Sequence, residues 1–177
     1  MIALESNVQQ NLIHFIMKEI PDPMIGGLLI GKFNQASEWK VELDIDRESS
    51  FRDVPASIDR SLLVTIIGNL LDNAMEAVLD PSATDKKVKI FFTDLGEDLI
   101  IEVEDTGTGI AEEERERIFR IGYSTKASQH RGYGLGLVQQ AVQQLHGHIT
   151  FSSHEGGGTV FTVDIPKKIG EKVGKAL

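Results

Sequence analysis

The chain has 177 residues, 41% hydrophobic and 25% charged, the balance of a single medium-sized soluble globular domain. Its formal charge of −9 argues against non-specific nucleic-acid binding, so a polyanionic ligand would need backbone donors, a metal or a few well-placed cations. It has no cysteine, which excludes disulfides and thiolate metal sites, and neither a membrane-length apolar run nor an N-terminal signal pattern is present.

Val8, Leu12, Phe15 and Ile16 recur at helical spacing within 3–19, and Pro21 and Pro23 stop or kink that helix. A second helical run follows over 24–40, with Ile25, Leu28, Leu29, Lys32 and Phe33; Gly26, Gly27 and Gly31 weaken it or mark close packing. Residues 1–40 therefore look like an appended helical arm, or simply the first layer of the domain. Val41, Leu43 and Ile45 alternate as a first strand, and a polar loop containing Pro55 leads to the most informative stretch, Asp59–Val78.

There Leu63, Ile66, Ile67, Leu70, Leu71 and Ala74 form one apolar helical face. Asn69, Asn73 and Glu76 line up beside it, at i, i+4 and i+7. Asparagine favours turns and caps over helix interiors, so two amides there suggest either a ligand edge or bonds to a neighbouring loop.

Strands over Val88–Phe92 and Leu99–Asp105 should pair as an antiparallel hairpin around LGED. The same alternation places Asp105 on the apolar face, which is costly unless the carboxylate is paired. A short acidic helix over 112–119 precedes a polar, glycine-bearing connection to a helix over 135–146. Strands at 149–153 and 159–165, joined by EGGG, and a frayed tail over 167–177 complete the chain. The pattern predicts an α+β two-layer sandwich, with helices on one face of a mixed, mainly antiparallel sheet.

Three polar clusters carry the chemistry. Arg131-Gly132-Tyr133-Gly134-Leu135-Gly136-Leu137 enters a helix, and glycines there would turn backbone N–H groups toward an anion at the positive helix end. It is not a Rossmann site, since no strand immediately precedes it, and no Gly-Lys-Ser/Thr P-loop occurs. Asp105-Thr-Gly107-Thr-Gly109-Ile110 offers an inward carboxylate able to accept from an exocyclic amine, or an Asp-Thr-Gly turn satisfied by its own backbone. Asn73 supplies a neutral oxygen suited to Mg²⁺ that already carries phosphate oxygens.

Taken in order, these motifs resemble the catalytic ATP-binding domain of a sensor histidine kinase, in the wider group of gyrase, Hsp90 and MutL ATPases. Asn69-Leu-Leu-Asp-Asn73-Ala resembles the N box, Asp105-Thr-Gly-Thr-Gly109 the G1 box, and Ile118-Phe119 the F box. Gly132-Tyr-Gly134-Leu-Gly136-Leu resembles the G2 box, and Gly157-Gly158-Thr159 the strand motif that follows it. The likeness covers about residues 41–166 and implies the Bergerat ATP-binding fold.

The resemblance implies ATP and Mg²⁺ as ligands. Asp105 would bond the adenine amino group, with Thr159 helping through water. Asn73 would hold the metal and Asn69 would lie close to the phosphates. Gly107, Gly109, Ile110, Phe119, Leu135 and Leu137 would line the nucleotide, while Gly132, Gly134 and Gly136 would meet the triphosphate from a lid over about 123–134. Lys126 and Arg131 are the lid cations, Lys126 together with Asn69 and Asn73 being the candidate catalytic residues, and Tyr123 and Tyr133 are available to stack or bond. In the ATPase branches, the residue four before the metal-binding Asn is usually a water-activating Glu. Here it is Asn69, an amide that cannot act as a base, which favours transfer to a protein histidine over hydrolysis.

IPDPMIGGLLIGKFNQASEWKVEL and IFRIGYSTK resemble the citrate and C4-dicarboxylate sensor kinases. No histidine here is followed by the acidic residue of their phosphoacceptor motif. His14 precedes Phe-Ile-Met, and His130, His146, His148 and His154 do not match either. Three segments are therefore expected: 1–40 from the second helix of a dimerisation hairpin, 41–166 the catalytic domain, and 167–177 a tail. The expected partners are a phosphoacceptor helix of the same kinase and a response regulator. The full-length protein would be a membrane-bound homodimer with this part in the cytoplasm, touching neither membrane nor nucleic acid. The rival readings are an ATPase of the same fold and a non-enzymatic nucleotide-dependent interaction module.

Overall fold

In the computed structural model, residues 2–120 and 134–168 are described. Helix α1 spans Ile2–Glu19 and α2 spans Pro23–Trp39. Proline occupies the first turn of α2, where its missing N–H is not needed, and the Asp22 carboxylate caps the helix by accepting from the Met24 and Ile25 amides. Strand β1 (Glu42–Ile45) precedes helix α3 (Arg60–Val78), whose N-cap is Asp59. The Ser61 hydroxyl and amide bond Asp59 and hold its carboxyl below the usual carboxylate value.

Strands β2 (Lys87–Thr93) and β3 (Asp98–Asp105), helix α4 (Gly134–Gln144), and strands β4 (His148–Ser153) and β5 (Thr159–Pro166) follow. The sheet order is β1-β2-β3-β5-β4. Only β1 and β2 run parallel, with Ile45 opposite Ile90; the other pairs are antiparallel. The expected hairpin and the expected two-layer α+β sandwich are both present.

The core lies between the sheet and α3. Leu63, Ile66, Ile67, Leu70, Leu71, Ala74, Met75 and Val78 all bury from α3, one more turn of apolar contact than the spacing alone marked. Contrary to the expectation of no membrane-length apolar run, α3 could cross a membrane by length and composition alone, but half of it is buried inside the fold, as in a core helix. Val88, Ile90 and Phe92 face it from β2, Leu99, Ile101 and Val103 from β3, and Phe161, Val163 and Ile165 from β5. Ile16, Ile20, Ile25, Leu29 and Ala36 of α1 and α2 join the same cluster. Lys32 ties α2 to α3 through Asp72 at 2.5 Å.

The acidic helix expected over 112–119 shrinks to a single 3₁₀ turn, Glu112–Glu114. Ala111 at its N-cap has no side chain to bond the first amides, so the turn does not propagate. Phe119 is instead drawn into edge-on contacts with Phe151 at 6.0 Å and Phe161 at 6.4 Å.

Candidate nucleotide site

Helix α3 is the spine of the site. Asn69, Asn73 and Ala77 follow one another at i, i+4 and i+8, so they share one side of the helix. At the C-terminal end of this row, Gly107 packs so closely that a Cβ on it would lie 2.8 Å from the Ala77 Cβ, the Ala77 carbonyl oxygen and Asp105 Oδ1. At the other end, a Cβ on Gly134 would lie 3.1 Å from Asn69 Oδ1. Asn73 stands one helical turn from each, partly exposed. Eight residues of helix separate Ala77 from Asn69, about 12 Å along the axis, comparable to the reach of a nucleoside triphosphate.

The first end is polar and built from three neighbouring strands. Asp105 closes β3 with 4% of its surface exposed, as strand alternation expects. Directly opposite is Thr159, the first residue of β5, and opposite Thr159 is Ser153, the last of β4. Asp105 Oδ1 accepts the Gly107 amide at 2.8 Å. Gly109 turns the chain at φ +74°, where an added Cβ would overlap the His154 carbonyl oxygen, so the loop needs glycine here for both conformation and space. Ile110 then donates its amide to Ser153 Oγ at 2.7 Å.

The second end is the start of α4, whose first-turn amides lack intrahelical acceptors and carry the positive end of the helix dipole. Asn69 Nδ2 donates to the Thr65 carbonyl at 2.8 Å, which fixes the amide. Leu135 packs on the core, Gly136 is buried, and Leu137 is 42% exposed. Lys126, Arg131, Gly132, Tyr123 and Tyr133 lie outside the described residues. Among the described residues no three His, Asp or Glu side chains are gathered to hold a metal. A metal here would take one amide oxygen from the protein and the rest from phosphate and water, which suits Mg²⁺ at Asn73. The concave patch on the opposite sheet face, lined by Asp46, Glu48, Lys89, Glu102 and Glu104, has the wrong charge for a triphosphate.

Residues 58–169 match the family described as histidine kinase-, DNA gyrase B- and HSP90-like ATPase. The chain belongs to this ATPase family. Domains of the family bind ATP, usually with Mg²⁺. Within it, the chain is 45% identical over 166 residues to the sensor protein CitS of Halalkalibacterium halodurans, covering 94% of this chain and 31% of that protein. It is 38% identical over 169 residues to the sensor histidine kinase DpiB of Escherichia coli, covering 94% and 31%. The chain thus spans about a third of the curated relatives it matches. Among solved structures, the catalytic domain of histidine kinase ThkA aligns with a TM-score of 0.65 at 26% identity, covering 81% of this chain and 90% of that one.

Residue patterning had not singled out Ser153, Arg115 or Ala77. Arg115 Nη2 donates to the Ser153 carbonyl at 2.6 Å, fastening the end of β4 to the loop after β3. Ser153 carries the same signal that exposed Asp105, a polar residue on the inward side of a strand end. Ala77 carries none, because its role is to be small.

Proposed function

We propose that this chain is the ATP·Mg²⁺-binding catalytic part of a two-component sensor histidine kinase. The full protein would transfer the γ-phosphate to a histidine on a helical domain, for relay to an aspartate of a response regulator. The observation that carries this reading is the row Asn69–Asn73–Ala77, bracketed by Gly134 at one end and Gly107 at the other. It offers a base-sized polar wall and a helix N-terminus the length of a nucleotide apart, with a metal-suited amide between them.

In this reading Asp105 accepts from the adenine amino group, and Gly107 and Gly109 keep side chains off the ring. Thr159 assists through water. Asn73 would contribute an oxygen to the metal, the amides of Gly134, Leu135 and Gly136 face the phosphates, and the resemblance assigns Gly132, Lys126, Arg131 and Tyr133 to the same phosphates. Magnesium held through Asn73 would supply charge neutralisation on the triphosphate. Phe119 anchors the loop that leads to this segment through its contacts with Phe151 and Phe161. Asn69, with its amide N–H₂ spent on Thr65, has no basic atom with which to activate water. That favours positioning for transfer over hydrolysis.

Residues 1–40 fit the end of a dimerisation hairpin, two further relatives are named probable C4-dicarboxylate sensor kinases, which supports small-carboxylate sensing, and the full protein would be a membrane-bound homodimer. Calorimetry of ATP binding with and without Mg²⁺, followed by incubation with the phosphoacceptor hairpin of the full-length protein and γ-labelled ATP, tests the reading. Label on the hairpin is expected. Bound ATP with steady phosphate release and an unlabelled hairpin would make it an ATPase, and absence of ATP binding would refute it altogether.

A further inference from the structure

We infer that Ser153 is a positioning residue that fixes the direction of the Thr159 proton and so makes the base-recognition wall accept hydrogen bonds only. The inference rests on the nucleotide reading above and concerns which base the site takes.

Ser153 and Thr159 are each 5% exposed and face each other in register, with Asp105 next in the row. Ser153 Oγ has three partners: the Ile110 amide at 2.7 Å, the Gly158 carbonyl at 3.0 Å and Thr159 Oγ1 at 2.9 Å. A serine hydroxyl has one proton and two lone pairs. The Ile110 N–H takes one lone pair. Gly158 is buried, and the only other described donor to its carbonyl is the His154 amide at a long 3.4 Å. A buried carbonyl left without a good donor is costly, so the serine proton goes to Gly158.

The contact with Thr159 then has one polarity left. Thr159 donates its proton into the second lone pair of Ser153. Its oxygen can offer only lone pairs, and a water that gives one proton to Thr159 and the other to Asp105 has only lone pairs left for the base. Asp105 beside it, as a carboxylate, also accepts. Opposite the exocyclic position the wall therefore demands a donor, which an amine supplies and a ring carbonyl does not. A base with oxygen at that position, as in inosine or guanosine triphosphate, would meet oxygen with oxygen. Arg115, holding the Ser153 carbonyl at 2.6 Å, keeps the strand end from shifting to relieve that clash.

The test is binding of ATP and inosine triphosphate to the 177-residue chain, its Ser153→Ala and Ser153→Cys variants, Thr159→Val, and the double variants. Wild type should prefer ATP. Ser153→Ala, and the nearly isosteric Ser153→Cys, free the Thr159 hydroxyl to rotate and donate, so the ATP preference should fall about tenfold. Thr159→Val should weaken ATP while sparing inosine triphosphate, and in that background the Ser153 substitutions should no longer change the preference. That last result separates positioning through Thr159 from a general loss of structure. Variants that keep the wild-type preference, or a Ser153 effect that persists in the Thr159→Val background, would overturn the inference and leave the nucleotide reading intact. A wild-type chain that binds neither nucleotide would overturn both.

Discussion

Gly134, the first residue of α4, lies against Asn69 in the middle of α3, so closely that a methyl group there would fit only if the Asn69 side chain gave way slightly. The two elements meet at the proposed phosphate end through this pair. Gly134→Ala would place its Cβ 3.1 Å from Asn69 Oδ1, so the amide must shift slightly, straining its bond to the Thr65 carbonyl. We expect ATP affinity to fall about tenfold while stability changes by no more than ~1 kcal/mol. Calorimetry beside thermal melting distinguishes the two effects.

Asn73 has a narrower assignment. Asn73→Ala should remove the gain in ATP affinity that Mg²⁺ confers, while leaving metal-free binding within about threefold of wild type. Titrations in Mg²⁺ and in a chelator report the difference directly. Equal losses in both buffers would assign Asn73 to packing.

Asp22 controls an acid limb of stability. Burial pushes its carboxyl up, but the Ile25 amide, the Arg60 guanidinium at 2.9 Å and the Met24 amide outweigh it and hold the carboxyl below its ordinary value. The native state therefore binds this proton less readily than the unfolded chain. The resulting stabilisation is complete above the ordinary carboxylate value and is lost as pH falls through the depressed native one. Urea unfolding followed from pH 7 to pH 3 should lose part of its acid slope in Asp22→Asn. Asp22→Ala, which also removes the cap, should cost about 1–2 kcal/mol at neutral pH.

Glycines 31 and 109 should respond in opposite directions. A Cβ at Gly31, inside α2, meets nothing within 4 Å, so Gly31→Ala should stabilise by about 0.5–1 kcal/mol through helix propensity. Gly109→Ala meets both a left-handed backbone and the His154 carbonyl, and should cost more than about 3 kcal/mol or rearrange the loop. Denaturant midpoints give both signs.

How far the sequence spoke for itself differs by element. The buried face of α3 and the inward turn of Asp105 follow from spacing alone, because helix and strand periods place side chains without help from the rest of the chain. The glycine clusters could be found by eye, but their neighbours could not. That Gly107 touches Ala77, or Gly134 touches Asn69, depends on how loops cross a helix, and no local pattern encodes a pair 30 or 65 positions apart. The acidic segment at 112–119 reads as a helix because its residues tolerate one. The missing cap at Ala111 and the pull of Phe119 toward Phe151 and Phe161 decided otherwise. Ser153 shows its inward polarity in the strand pattern, but its partners from three other segments do not show there.

The junction of α1 with the body has a mechanical consequence. Ile16 and Ile20 are sunk in the core, the Glu19 carbonyl accepts the Phe51 amide at 2.8 Å, and the Glu19 carboxylate grips Arg52 at 2.6 Å. The last turn of the helix is thus clamped, Leu12 and Phe15 pack against the core, and the exposed Gln9 side chain bonds Asn34 of α2 at 3.3 Å. The 18 residues of α1 reach about 27 Å from that clamp, so the helix is a stiff rod carried by the body. A rocking of the nucleotide-bearing body by about 10° would sweep the far end of the rod through about 5 Å, given that reach.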